Sequence, residues 1–355
     1  MKWFKKHKVF TTFLLVILLM VSLVVGFIWS KLSLIDYNDG KLPTGEDGSV
    51  ISATLSPEEE NEQLVDISGL EISETVPVIP EAEVEEKDDI VNIMLLGTDE
   101  YSGILTESAR SDCMILVSIN KTDKTVKLVS MERGMGMPVL WGEYEGQWDW
   151  MTHIFRYGGA EMVCAVVEEC LRVEVDYYVR VNFTTVRTVV DAIGGIDIEL
   201  TEPEAAVMSR FYYKRNDFAR ANMDEGVNHL DGDGALYFAR LRRIDSDWQR
   251  VERQRRVILA AVDALKGASL KELNDLLDQT LPLIQTDMNM LEIADLMLYA
   301  PNFLNSTFDQ MTIPKEGTYG GMTGMGGRGF FAADFEVNSQ ILKDFLYGTG
   351  EENAE

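Results

Sequence analysis

Ile90-Val91-Asn92-Ile93-Met94-Leu95-Leu96-Gly97-Thr98-Asp99 is a dense apolar run closed by a glycine, with a carboxylate just beyond it. It reads as a buried strand. Residues 113–119 form a second apolar run. Residues 124–130 alternate as a third, reached through the hairpin-like turn Asn120-Lys121-Thr122-Asp123. Downstream, residues 160–171, 184–193, 234–241, 248–266, 270–279, 291–300 and 338–347 carry helical patterns, and 176–181, 196–200 and 308–313 read as further strands. Strands and helices intermix without a strict β-α-β rhythm. The pattern predicts an α/β fold, a three-layer α/β/α sandwich with a mixed central sheet, over residues 90–348.

The chain has 355 residues, and 32 Lys and Arg against 59 Asp and Glu give a formal charge of −27. A chain this acidic lacks the broad cationic surface that counterion release on duplex DNA requires, so no nucleic-acid partner is expected. The charge is uneven. Lys2, Lys5, Lys6 and Lys8 precede residues 9–29, which carry no formal charge and are rich in Val, Leu, Ile and Phe. As a helix, that run spans about 31 Å, matching a bilayer core of about 30 Å. Residues 1–30 are therefore read as a cytoplasmic Lys cluster and an uncleaved transmembrane signal anchor. The positive N-terminus leaves the remainder outside the cell. Residues 31–89 hold 17 acids and 3 Lys, with no sustained apolar period, and read as a disordered, self-repelling stalk. Residues 349–355 read as an acidic tail. The three cysteines, Cys113, Cys164 and Cys170, suggest no disulfide framework.

Two groups of residues carry chemistry. Asp99 lies just past the first strand, and Arg110 and Asp112 just before the second, so pairing of those strands brings all three to one sheet edge. Two carboxylates there suit a hard cation such as Mg²⁺, which completes its shell with water and phosphate oxygens. Arg133 follows the third strand. Between Arg240 and Arg256 stand seven arginines and no lysine. Arginine grips phosphate bidentately and stays charged when desolvated. Asp245, Ser246 and Asp247 are candidate N-caps for the next helix. On that helix Arg250, Arg253, Gln254 and Val257 share a face near a helix N-terminus that favours an anion, whereas Arg255 and Arg256 read as surface charges pairing with Glu. These elements describe a pocket for a metal-bound pyrophosphate.

Asn92-Ile-Met-Leu-Leu-Gly-Thr-Asp99, Arg110-Ser-Asp112, Val117-Ser-Ile-Asn120, Leu128-Val-Ser-Met-Glu-Arg133, Tyr157-Gly-Gly159, Asp176-Tyr-Tyr-Val179, Val190-Asp-Ala-Ile-Gly-Gly195, Leu230-Asp-Gly232, Ala239-Arg240 and Arg250-Val-Glu-Arg-Gln254 follow one another in the order of the LytR-CpsA-Psr family. The chain resembles that family densely over about residues 90–265. The resemblance implies a membrane-anchored, Mg²⁺-dependent phosphotransferase, with Mn²⁺ as a substitute metal. Such an enzyme moves a glycopolymer, such as teichoic acid or capsule polysaccharide, from a polyprenyl-pyrophosphate carrier onto peptidoglycan. Its partners would be the polyprenyl-pyrophosphate-linked glycan donor, the peptidoglycan acceptor and membrane lipid. It assigns metal binding to Asp99 and Asp112, pyrophosphate binding to Arg110, Arg133, Arg240, Arg242, Arg250 and Gln254, and a catalytic set of Asp99, Arg110, Asp112 and Arg133. It also implies an apolar tunnel for the polyprenyl tail between sheet and helices.

The family's Pro-Arg-Asp after the third strand is Glu132-Arg133-Gly134 here, so a carboxylate that would assist the acceptor is missing. Its usual Gly before the helical Arg is Gln249, and its upstream Lys is Trp150, with His153 nearby read as structural. The seven glycines of residues 317–329 lack P-loop spacing and read as a mobile or capping loop. A non-catalytic polyprenyl-phosphate-binding regulator and a pyrophosphatase are the rival functions.

Overall fold

The computed structural model describes residues 26, 29–37, 65–99, 109–241, 244–304 and 306–348. In chain order the elements begin with strands β1 (Asp36–Tyr37), β2 (Ile90–Thr98), β3 (Ser111–Asn120), β4 (Thr125–Met131), β5 (Gly136–Pro138) and β6 (Trp148–Trp150). There follow α1 (Met151–Leu171), β7 (Tyr177–Asn182), α2 (Phe183–Ala192), β8 (Ile196–Leu200), α3 (Glu202–Lys214), β9 (Gly226–Leu230) and α4 (Gly232–Ala239). The chain continues through α5 (Asp247–Leu265), α6 (Leu270–Thr280), β10 (Gln285–Thr286), α7 (Met290–Phe303), β11 (Phe308–Ile313), β12 (Tyr319–Thr323), β13 (Gly329–Ala333) and α8 (Phe335–Tyr347).

Seven strands form one sheet in the order β1-β10-β7-β2-β3-β4-β11. β2, β3 and β4 pair antiparallel, whereas β7 joins β2 and β11 joins β4 in parallel. The sheet is mixed, as the sequence predicts. Side chains alternate across it. Met94, Leu96, Met114, Leu116, Val129 and Met131 pack with α1 and α8. Ile115, Val126 and Leu128 face Ile258 and Leu259 of α5, and Val91 and Ile93 face Leu296 of α7. The layers are therefore helix, sheet, helix. A second apolar cluster, built on Ile196, Ile198, Met208, Tyr212, Leu230 and Phe238, joins α2, α3, α4 and the β8–β9 ribbon beside the sheet.

Several expectations need revision. The predicted anchor lies outside the described residues except Gly26 and Trp29, as do residues 38–64 and 349–355. Among the described residues no helix is long and apolar enough to cross a membrane. The acidic segment before Ile90 is not all spacer. Leu32, Ile35 and Val65 are buried, Asp36–Tyr37 extends the sheet edge, Ile72 bridges to Gly321 and Glu85 to Val173. Apolar side chains scattered among the acids supply this docking. Helix α1 begins nine residues earlier than its pattern suggests and breaks at Gly158-Gly159, where Gly159 has φ 68°, a region that glycine adopts without the cost a Cβ imposes. The glycine-rich residues 317–329, read as a mobile or capping loop, supply the first strand and the turn of the β12–β13 hairpin, which spans residues 319–333.

Beside the site, Gly97 pairs with Cys113, and a Cβ at position 97 would meet the Cys113 Cβ at 2.8 Å. Gly97→Ala must force β2 and β3 apart. It is expected to cost about 1–3 kcal/mol, read as a lower urea midpoint at an unchanged slope.

Candidate functional site

The β2–β3 pairing carries a bulge. Gly97 pairs with Cys113 and Thr98 with Ser111, which leaves Asp112 as the extra residue on β3. A bulge re-aims a side chain at a strand end, and this one presents Asp112 beside Asp99. Arg110 closes the same edge. Its backbone N–H and its Nε donate to the Asp99 carboxylate at 3.0 and 3.1 Å.

Behind that edge runs a line of alternating charges. Arg133 Nη1 donates to Asp112 Oδ1 at 2.6 Å. The rest of its fork reaches Asp247 at 3.2 and 3.3 Å, and Arg250 Nη2 donates to Asp247 Oδ2 at 3.0 Å. Gln254, one turn further along α5, donates to the Asp112 carbonyl at 3.1 Å. Arg133 and Arg250 are buried. Burial alone would weaken the Arg133 charge, but the adjacent Asp112 and Asp247 carboxylates outweigh it and hold the proton more firmly than water does. Burial would likewise raise Asp247, and Arg133 and Arg250 hold it below the usual carboxylate range. Glu132 is pushed up to about 8, first by burial and then by the Asp247 carboxylate, with which it shares a hydrogen bond. Of the two acids, Glu132 is the one that holds its proton more firmly.

Asp99, Arg110, Asp112, Arg240, Arg250 and Gln254 line one cavity of about 1010 Å³. Their end of it is charged. The rest is walled by Leu95, Val181, Phe183, Val186, Val207, Phe211, Leu236, Tyr237, Val257 and Ile258, from the sheet, α2, α3, α4 and α5. Arg240 stacks over the Phe183 ring at 4.1 Å, which keeps a cation at the boundary between the two halves. Arg210 and Lys214 of α3 also line the wall.

Not every predicted ligand reaches the cavity. Arg133 lies beneath it, tied to two carboxylates, and does not form its wall. Arg242 lies outside the described residues. Arg253, expected on the Arg250 face, is displaced around the helix by about 60°, and it pairs with buried Glu204 and with Asp245. Arg255 is not a surface charge. It is buried and donates to Ser130 at 2.7 Å and Thr312 at 2.8 Å. Arg256 pairs with Glu204. His153 is fully buried with Tyr157 and Arg328 around the Asp149 carboxylate, away from the cavity. The sequence reading missed Asp247 as the hub between two arginines. It also missed Glu132 as a protonated acid, and Arg210, Lys214 and Phe183 as cavity residues. Asp247 stood among three N-cap candidates, and only its distance from Arg133 separates it from them.

Asp99 and Asp112 offer a hard cation two carboxylates. Among the described residues no group of three or more His, Cys, Asp or Glu side chains is gathered for a metal. That donor set fits an ion such as Mg²⁺ that takes its remaining ligands from phosphate and water.

A sequence model described as the LytR_cpsA_psr family matches residues 51–336. A Bacillus cereus protein named polyisoprenyl-teichoic acid--peptidoglycan teichoic acid transferase TagU is 32% identical over 236 residues, 65% of this chain and 71% of the relative. The Bacillus subtilis transferase TagT is 32% identical over 193 residues, 54% of this chain and 58% of the relative. Among solved structures, TagT bound to LIIa-WTA superposes with a TM-score of 0.57 at 26% identity, covering 74% of this chain and 94% of that one. Protein gbs0355 from Streptococcus agalactiae superposes at 0.60 and 24% identity, covering 74% and 89%, a likeness of fold.

Glu132 gives a pH test. Its folded pKa of about 8 lies above the unfolded value of 4.5, so the folded protein binds the extra proton. Stability from this group is fully present below about 4.5 and is lost as pH rises through about 8. Thermal unfolding at pH 6 and pH 9 should show the wild type falling more steeply than Glu132→Gln. Equal slopes would mean that Glu132 is ionised in the fold.

Proposed function

Because the chain belongs to the LytR_cpsA_psr family, we propose that it is a phosphotransferase of cell-wall assembly that moves a glycopolymer from a polyprenyl-pyrophosphate carrier onto peptidoglycan. The observation that carries this reading is one cavity with a charged end of two carboxylates, three arginines and a glutamine, and a remainder walled largely by apolar side chains, with Arg210 and Lys214 among them. A diphosphate joined to a hydrocarbon chain has the same two halves. The names of the relatives, transferases of polyisoprenyl-linked teichoic acid, support the same donor class.

In the reaction, the acceptor hydroxyl oxygen forms a bond to the sugar-proximal phosphorus while the bond from that phosphorus to the bridging oxygen breaks. The lipid phosphate leaves, and the hydroxyl proton ends on it. Arg110, Arg240 and Arg250 lie where negative charge accumulates on the phosphoryl oxygens. Their fixed guanidinium groups stabilise it without reorganisation at the moment of transfer. Gln254 donates to the Asp112 backbone and Arg133 holds the Asp112 side chain, so both orient Asp112, which together with Asp99 would hold Mg²⁺ or Mn²⁺. When bound, that ion would neutralise charge on the diphosphate. Residues 9–29 would anchor the enzyme in the cell membrane with the domain on the outer side, where donor and acceptor meet.

Arg250→Ala is expected to lower transfer from a purified lipid-linked donor at least about 100-fold, the scale for removing one preorganised charge donor, with the fold retained by circular dichroism. Undiminished transfer by that variant would sink the assignment. Release of phosphorylated glycan with no acceptor present would indicate a pyrophosphatase. Binding of donor without any product would indicate a regulator. Omission of divalent cations tests the metal, and full activity in chelator would remove it.

A further inference from the structure

Helix α3 lines the cavity with its last two turns. Arg210, Phe211 and Lys214 line the cavity wall. The next residues out, Tyr213 and Phe218, are each 63% exposed, with their rings edge to face at 5.5 Å. Two large aromatic rings held together in solvent have no packing function in an isolated domain. Arg215 pairs with Asp233, and Arg220 with Asp217 and Asp231, whereas Arg210 and Lys214 make no ion pair among the described residues. The cavity wall therefore carries two cations without an ion pair among the described residues, in a chain of formal charge −27, beside an exposed aromatic pair. Rings with a polar edge next to basic side chains are the composition that settles at a membrane–water interface, and the cations select an anionic one.

The position agrees. Helices α6, α2, α4 and α3 pack neighbour on neighbour in that order. Lys31, two residues beyond the apolar run that ends at Trp29, pairs with Asp278 of α6. Helices α2, α4 and α3 of that row wall the cavity, and the row runs from the helix that holds Lys31 to the one that carries the aromatic pair.

We infer that the outer end of α3 and the turn after it, Tyr213, Phe218, Arg210 and Lys214, form a docking surface for an anionic bilayer, which seats the apolar cavity directly on the lipid. The inference rests on the lipid-linked donor proposed above, because a donor whose tail stays in the membrane can enter only through a mouth held against it.

The test uses the full chain, in nonionic detergent micelles and in nanodiscs of phosphatidylcholine with and without phosphatidylglycerol, followed by amide hydrogen exchange. Exchange over residues 211–220 should slow up to about thirtyfold in the anionic discs, the scale expected for two basic side chains at such a surface. Tyr213→Ser with Phe218→Ser should abolish the slowing. Both side chains are exposed, so the fold should survive. Equal exchange in all three environments would overturn the inference. So would protection that follows protein concentration rather than lipid charge, because it would assign the face to a second copy. The double variant should also raise KM for a donor embedded in a bilayer and leave KM for a short-chain, water-soluble donor unchanged. Protection by anionic lipid without any transfer by the wild type would leave the docking surface standing and remove the transferase.

Discussion

Asp112, Arg133, Asp247 and Arg250 form a row of alternating charges through the interior, and the geometry of the cavity's charged end depends on it. Each charge on its own would be costly to remove from water. Each is tolerable because its neighbour has the opposite sign and donates or accepts within 3.3 Å. Breaking such a row by removing one partner typically costs about 3–5 kcal/mol, since the remaining charge is stranded. The row also joins distant parts of the chain: the bulge on β3, the end of β4 and the first turn of α5. Asp112 and Arg250, which face the cavity, are held at a fixed separation by Arg133 and Asp247, which are held largely behind it. The two groups outside the cavity lining thus determine whether the two within it are correctly placed.

Pairing of buried charges recurs beside the cavity. Glu204 accepts from both Arg253 and Arg256, which fastens α5 to the start of α3 and so fixes a second wall. Arg255 is anchored to Ser130 and Thr312 at the ends of β4 and β11. The arginine-rich stretch therefore serves two purposes. Arg240 and Arg250 face the cavity, while Arg253, Arg255 and Arg256 tie α5 to the sheet and to the helices around it.

This division explains what the sequence could and could not disclose. The central strands were legible because burial on both faces leaves a long apolar run in β2 and β3, and the mixed sheet followed from the turn at Asn120-Lys121-Thr122-Asp123. The gathering of Asp99, Arg110, Asp112, Arg240, Arg250 and Gln254 was legible because strand ends and the first turn of a helix are positions that local pattern fixes. Helix α3 was not. Its apolar residues are interrupted by Ser209 and Arg210, and its clearest signal is the capping box that Thr201 and Glu204 form across Pro203. The separate fates of Arg250 and Arg253 were not legible either. They sit three residues apart on one helix, and only the position of Glu204, forty-nine residues away in sequence, draws one from the face of the other.

The glycine at position 134 has a physical reason that the motif alone conceals. A Cβ there would lie 2.1 Å from the Val65 side chain and 3.6 Å from the Phe331 ring. Val65 belongs to the acidic N-terminal segment. Beside it Ile67 lies against Gly321 and Gly329 of the β12–β13 hairpin, where an added Cβ would come within 2.9 and 3.0 Å. Phe331 donates its N–H to the Gly134 carbonyl at 2.9 Å, and Trp248, next to Asp247, packs on Tyr319 and Phe331. The segment and hairpin thus fill the volume that a side chain at 134 would need, and they brace the first turn of α5 from outside. A side chain at 134 and the present position of Val65 exclude each other. The carboxyl retained nearby, Glu132, is directed inward against Asp247, where burial keeps it protonated. Glu132 is not part of the cavity lining, so it offers no carboxylate to an acceptor there.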